Sequence, residues 1–124
     1  MPNPLRVLDA ARSVADNVNE LADLARPRLL HDKQLREAAG SIAANIREGY
    51  GRRPGAERNQ FLRYARGSAE EADEHLRVNV QRERIAAAQY WRLHNRLVVI
   101  AKMLGSLMER GRNGTPAPPS RSPS

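Results

Sequence analysis

Two sets of polar residues are spaced along this chain in a way that could carry chemistry. Ser41, Asn45 and Glu48 recur at i, i+4 and i+7, and Tyr64, Ser68, Glu71 and His75 at i, i+4, i+7 and i+11. Each set therefore falls on one flank of a helix. Two carboxylates, Glu48 and Glu71, with the imidazole of His75 are the ingredients of acid–base catalysis or of a di-metal site in a bundle core. The di-metal version requires Glu-x-x-His pairs on facing helices. None of His31, His75 and His94 has Glu three positions earlier; those positions hold Arg28, Ala72 and Trp91. A glycine-rich phosphate loop, a His-Glu-x-x-His pair and a nucleophile elbow are also missing from the sequence.

The reading that fits better is structural. Two antiparallel helices carrying these flanks can share one hydrogen-bonded polar layer that fixes their register. A buried carboxylate must be paired. Arg52, Arg53 and Arg58 in the connecting loop can reach Glu48, and Tyr64 and Ser68 can donate to Glu48 or Asn45. On this reading the chain has no catalytic residue, no metal ligand and no cofactor, and is not an enzyme.

Four helices position these residues. In the first, after Pro4, Leu8, Ala11, Ala15, Val18, Ala22 and Ala25 form an apolar stripe widened by Val7, Val14 and Leu21, and Pro27 closes it. The second runs from Leu29 or Asp32 to about Gly51, with Leu35, Ala39, Ile42 and Ile46 as its buried line and Gly49, Gly51, Pro54 and Gly55 at its end. The third starts near Ala56 and carries Phe61, Leu62, Ala65, Ala69, Ala72, Leu76 and Val80 on one face. Apolar phase is lost between Gln81 and Ala86, which places a turn there. The fourth carries Tyr90, Leu93, Leu97, Ala101, Leu104 and Met108, with Gly111 as a natural C′ residue. Short connections make an all-α, antiparallel up-and-down four-helix bundle over residues 1–110 the economical architecture. Residues 111–124, GRNGTPAPPSRSPS, are rich in Pro, Ser and Gly without apolar periodicity and read as a disordered basic tail.

At 124 residues with no cysteine the chain fits one domain without disulfides or thiolate metal sites. Neither a signal-peptide pattern nor a membrane-length apolar run is present, so a cytoplasmic protein without membrane attachment is expected. The net charge is +7 and the pI about 10.9. Residues 1–74 hold 12 basic and 12 acidic side chains, whereas 9 basic and 2 acidic ones follow from His75 onward. Codon bias accounts for arginine over lysine but not for this asymmetry. A surface facing a polyanion is expected, with RNA or DNA the first candidate and acidic protein the second.

The stretches SIAANIREGYGRR at Ser41 to Arg53 and FLRYARGSAEE at Phe61 to Glu71 resemble a bacterial family of four-helix-bundle proteins. That family was first noticed as open reading frames in the intervening sequences of large-subunit ribosomal RNA genes. It is distantly related to the accessory variability determinant of diversity-generating retroelements. Ser41, Asn45, Glu48, Gly49, Arg52, Phe61, Gly67, Ser68 and Glu71 fall on the family pattern, and the resemblance spans about residues 5 to 110. Family members commonly have Pro where Ala43 stands and Ala where Arg47 stands. The resemblance implies a small cytoplasmic protein forming a cyclic homo-oligomer, typically a pentamer, without catalytic activity. The distant relative implies a basic barrel that binds nucleic acid and a reverse transcriptase.

Two surfaces follow. Arg52, Arg53, Arg58, Arg63 and Arg66 line the second turn and the start of the third helix, and Arg77, Arg82, Arg84, Arg92 and Arg96 decorate the basic half. Repeated around a ring they would bind RNA or another nucleic acid with little sequence selectivity. The alternative is an adaptor that docks a protein partner such as a reverse transcriptase. Trp91, Val98, Val99 and Met103 exceed what one core stripe needs and are the candidate subunit interface.

Overall fold

The structure, a computed structural model, describes residues 3–113. It contains α1 (Pro4–Leu24), α2 (Asp32–Tyr50), α3 (Ala56–Gln81) and α4 (Ala87–Asn113). Each helix packs on its neighbours in chain order, α1 also packs on α4, and the diagonal pairs do not meet among the described residues. This is the up-and-down four-helix bundle expected from short loops.

The helix starts are set locally. Asn3 caps α1, its Oδ1 accepting from the Arg6 amide at 2.9 Å, and Pro4 supplies the fixed φ suited to a first turn. Gly55 precedes α3 with φ 121°, a conformation in which a side chain would be strained. Gly49 allows close approach of α2 and α3: a Cβ there would lie 3.2 Å from both the Arg58 carbonyl oxygen and the Phe61 Cβ.

The core is aliphatic and small, with Val7, Val14, Val18, Leu35, Ile42, Ile46, Leu62, Leu76, Ile100 and Leu104 all but inaccessible. In α1 the buried line is Val7, Ala11, Val14, Val18 and Ala22, while Leu8 and Ala15 lie half-buried at its edge. The stripe is thus centred one residue earlier than the Leu8–Ala15 line read from sequence. Helix α1 stops at Leu24, before Pro27, because Ala25 is already extended. Of the two starts open for α2, Asp32 is the one adopted. The turn between α3 and α4 falls within the expected segment. Helix α4 continues through Gly111 to Asn113, so Gly111 is not a C′ residue. Residues 114–124 of the expected tail lie outside the described residues. No described helix is long and apolar enough to cross a membrane.

Candidate functional site

The polar residues picked out by spacing do not assemble into a buried layer within the chain. Glu48 is exposed and pairs with Arg52 at 2.7 Å, one helical turn on. Arg52 also holds Glu57 at 3.0 Å and lies over the Phe61 ring. Hydrogen bonding to Glu48, then its charge and that of Glu57, holds the Arg52 guanidinium above its ordinary pKa. Asn45 donates back to the Ser41 carbonyl oxygen at 2.9 Å, inside its own helix. Tyr64 is exposed, and its hydroxyl accepts from Gln60. Ser68 is half-buried. Glu71 is exposed and 3.7 Å from His75 Nε2, and His75 Nδ1 meets His31 Nδ1 at 3.1 Å. The physical reason is reach: flexible side chains on a stripe's edge find a partner one turn away or water before they find the facing helix.

The buried polar residues are others. Asn79 is inaccessible; its Oδ1 accepts from the Leu30 amide at 2.8 Å, and its Nδ2 donates to the carbonyls of Leu30 and His75. It fastens the α1–α2 loop to α3. Asn59 donates to the Met108 carbonyl at 3.1 Å, tying α3 to α4. Asp32 accepts from Arg36 at 2.8 Å and Arg28 at 3.4 Å. The Arg36 hydrogen bond holds its carboxyl below the ordinary value, overcoming burial, which acts the other way. A signal for all three was present: each sits three residues from a core leucine, Leu35, Leu62 or Leu76, and so falls on an apolar line.

A second cluster joins α3 to α4. His94 Nδ1 lies 2.7 Å from Asp73 Oδ1, Arg77 donates to Asp73 Oδ2 at 2.8 Å, and the Tyr90 hydroxyl stands 3.5 Å from the same oxygen. Tyr90 and then Asp73 hold the Arg77 guanidinium above its ordinary value. A carboxylate can only accept, so His94 carries its proton on Nδ1. The His94 ring stacks on Tyr90, with Trp91 edge-on at 5.2 Å. Beside this cluster runs an α3/α4 groove of about 540 Å³ whose walls include Arg66, Glu70, Glu74, Leu97, Val98, Lys102 and Gly105.

The ten candidate arginines divide into two groups. Arg52 and Arg77 are ion-paired as above. Arg58 donates to the carbonyls of Gly49 and Arg52 and lies over the Tyr50 ring. Arg84 donates to the Arg28 carbonyl. Arg96 binds Asn17 and Ser13 across the α1/α4 seam. The side chains of these five are engaged in internal bonds. For Arg53, Arg63, Arg66, Arg82 and Arg92 no side-chain hydrogen bond or ion pair is formed among the described residues. Of these only Arg66 is half-buried.

Among the apolar candidates, Met103 is partly buried against its own core. Trp91, Val98 and Val99 remain 55%, 37% and 53% exposed. Among the described residues, no group of three or more His, Cys, Asp or Glu is arranged to hold a metal ion.

The sequence profile of a family described as 23S rRNA-intervening sequence protein matches residues 3–106. A crystal structure from Bacteroides thetaiotaomicron VPI-5482, described as a protein with unknown function from the S23 ribosomal protein family, superposes with a TM-score of 0.80. It is 26% identical and covers 86% of this chain and 97% of that one. No curated protein matches.

Proposed function

Since this chain belongs to the 23S rRNA-intervening sequence protein family, we propose that it is a non-enzymatic scaffold that binds RNA through arginines left free by the fold. The observation that carries this reading is the division of the arginines. Arg53, Arg63, Arg66, Arg82 and Arg92 can meet phosphates without breaking an internal bond, whereas their five neighbours cannot. Phosphate contacts add electrostatically and need no base-reading geometry, so sequence selectivity is low. Glu48 is paired with Arg52, and Glu71 stands exposed 3.7 Å from His75 on another flank, which favours a binding role over acid–base work.

Copies of the chain associate in this reading as a cyclic homo-oligomer, which multiplies the free arginines. Val99 on α4, with Leu5 and Leu24 on α1, is apolar and exposed and supplies surface a second copy can cover. Titration of labelled structured RNA at low and moderate salt tests the binding. Affinity should fall steeply with salt and weaken when Arg53, Arg63 and Arg82 are changed together to Gln. Absence of binding at low salt would refute the reading. Light scattering of Val99→Glu tests the assembly, with a smaller particle than wild type expected and an unchanged mass counting against this contact.

A further inference from the structure

Arg66 is the exception among the free arginines. The residue is half-buried and forms no side-chain hydrogen bond or ion pair among the described residues, so its guanidinium is open to a ligand. It faces the α3/α4 groove, and its Nη1 stands 3.9 Å from where a Gly105 Cβ would be. Gly105 lies inside α4, where glycine is disfavoured relative to alanine. No main-chain turn or close helix contact requires it there, and the missing side chain leaves the groove open beside Arg66. Lys102 on the same groove wall adds a second cation.

We infer that this groove receives one unpaired nucleotide of a bound RNA, its phosphate on Arg66 and Lys102 and its base along α4 toward His94 and Trp91. The inference rests on the RNA-binding reading and narrows it to a site. Three observations select this ligand. The groove volume, about 540 Å³, lies in the range of small-ligand sites, roughly 300–1,000 Å³. From Gly105 to His94 the wall runs about 16 Å of helix, with Arg66 and Lys102 toward one end and the His94 ring, held by Asp73 beside Arg77, at the other. Trp91, His94, Val98, Lys102 and Gly105 recur at i, i+3, i+7, i+11 and i+14, one flank of α4. The acidic groups Glu70, Asp73 and Glu74 in the same groove disfavour a ligand that is anionic throughout. They suit the exocyclic amino donors of a base. A paired base cannot enter, so the groove adds a preference for single-stranded RNA that the surface arginines lack.

Trp91 is the only tryptophan of the chain and packs edge-on against His94, which lines the groove, so its emission reports on that end of it. The test uses the full chain with an unstructured oligoadenylate carrying an end label, and with adenosine 5′-monophosphate. Label anisotropy reads binding anywhere; Trp91 emission reads the groove. Both ligands should change Trp91 emission saturably, and adenosine without phosphate should bind about tenfold more weakly or worse. Arg66→Gln should weaken the Trp91 response by about tenfold, and Gly105→Val should block it from the opposite wall. Lys102→Gln, at an exposed position, gives a weaker loss without endangering the fold, and Lys33→Gln, an exposed cation on α2 outside the groove, should leave the Trp91 response unchanged. Anisotropy showing RNA binding while Trp91 stays silent to both ligands would overturn the groove and spare the RNA reading. An Arg66-dependent response to adenosine 5′-monophosphate without oligonucleotide binding would support the groove and overturn the RNA reading. Silence in both channels would overturn both.

Discussion

Asp73 on α3 and His94 on α4 are joined by a 2.7 Å hydrogen bond between Oδ1 and Nδ1, and Asp73 simultaneously binds Arg77 at 2.8 Å through Oδ2. The carboxylate is only 14% exposed and is the shared acceptor of both neighbours. Replacing Asp73 by Ala removes that acceptor from two groups at once. A loss of about 1.5–3 kcal/mol is expected in urea unfolding, with Asp73→Asn losing less because one carbonyl acceptor survives. A change below about 0.5 kcal/mol in the alanine variant would show that solvent already satisfies His94 and Arg77.

Asn79 and Glu48 should behave in opposite ways to their sequence appearance. Asn79→Ala deletes three hydrogen bonds at an inaccessible site and releases the α1–α2 loop from α3. It should cost about 2–3 kcal/mol. Glu48→Gln loses one exposed ion pair and should change stability by no more than about 0.5 kcal/mol. Thermal and urea melts of the two variants give the comparison directly.

Two helical glycines should give alanine variants of opposite sign. At Gly49 a Cβ would press on the Arg58 backbone carbonyl at 3.2 Å, which cannot swing aside as a side chain could. Gly49→Ala should therefore cost about 1–3 kcal/mol. Gly67 is exposed within α3 and a Cβ there meets nothing within 4 Å. Gly67→Ala should stabilise by about 0.5–1 kcal/mol. A drop in melting temperature for Gly67→Ala would mean that another copy or a ligand packs closely on that face.

Acid sensitivity should trace in part to Asp32. Its folded-state pKa is lowered below the ordinary 3.8, first by the Arg36 hydrogen bond. The stability it contributes is therefore complete above about pH 5 and is lost as pH falls through the lowered folded value. Asp32→Asn has no proton to gain there. The stability difference between wild type and Asp32→Asn should shrink from about pH 5 to about pH 2, and a constant difference across that window would refute the assignment.

How far the sequence could be read follows from the range of each interaction. The four helices, the turn near Gln81–Ala86 and the Gly/Pro break after Gly49 are written in local periodicity and in residues such as Gly55 whose backbone preferences act at once. The family signature at Ser41–Arg53 and Phe61–Glu71 was legible for the same reason: its residues are contiguous. The Asp73–His94 bond was not, since its partners sit on different helices and neither residue type at its position stands out. Nor could the idle Arg66 be told from the employed Arg58 or Arg96, because employment depends on whichever carbonyl or amide the neighbouring helix presents.

The sequence by itself therefore determined the fold class, the order of helices and the excess of positive charge. These rest on 3.6-residue spacing, on glycine and proline backbone limits and on composition. Tertiary structure alone decided which polar groups are buried and which cations are free. A residue at the edge of an apolar stripe turns inward or outward with a small rotation of its helix, as the one-residue shift of the α1 stripe shows. Once Asn79, Asn59 and Asp32 had the inner positions, Glu48 and Glu71 were left to one-turn partners, and Arg66 was left facing an open groove.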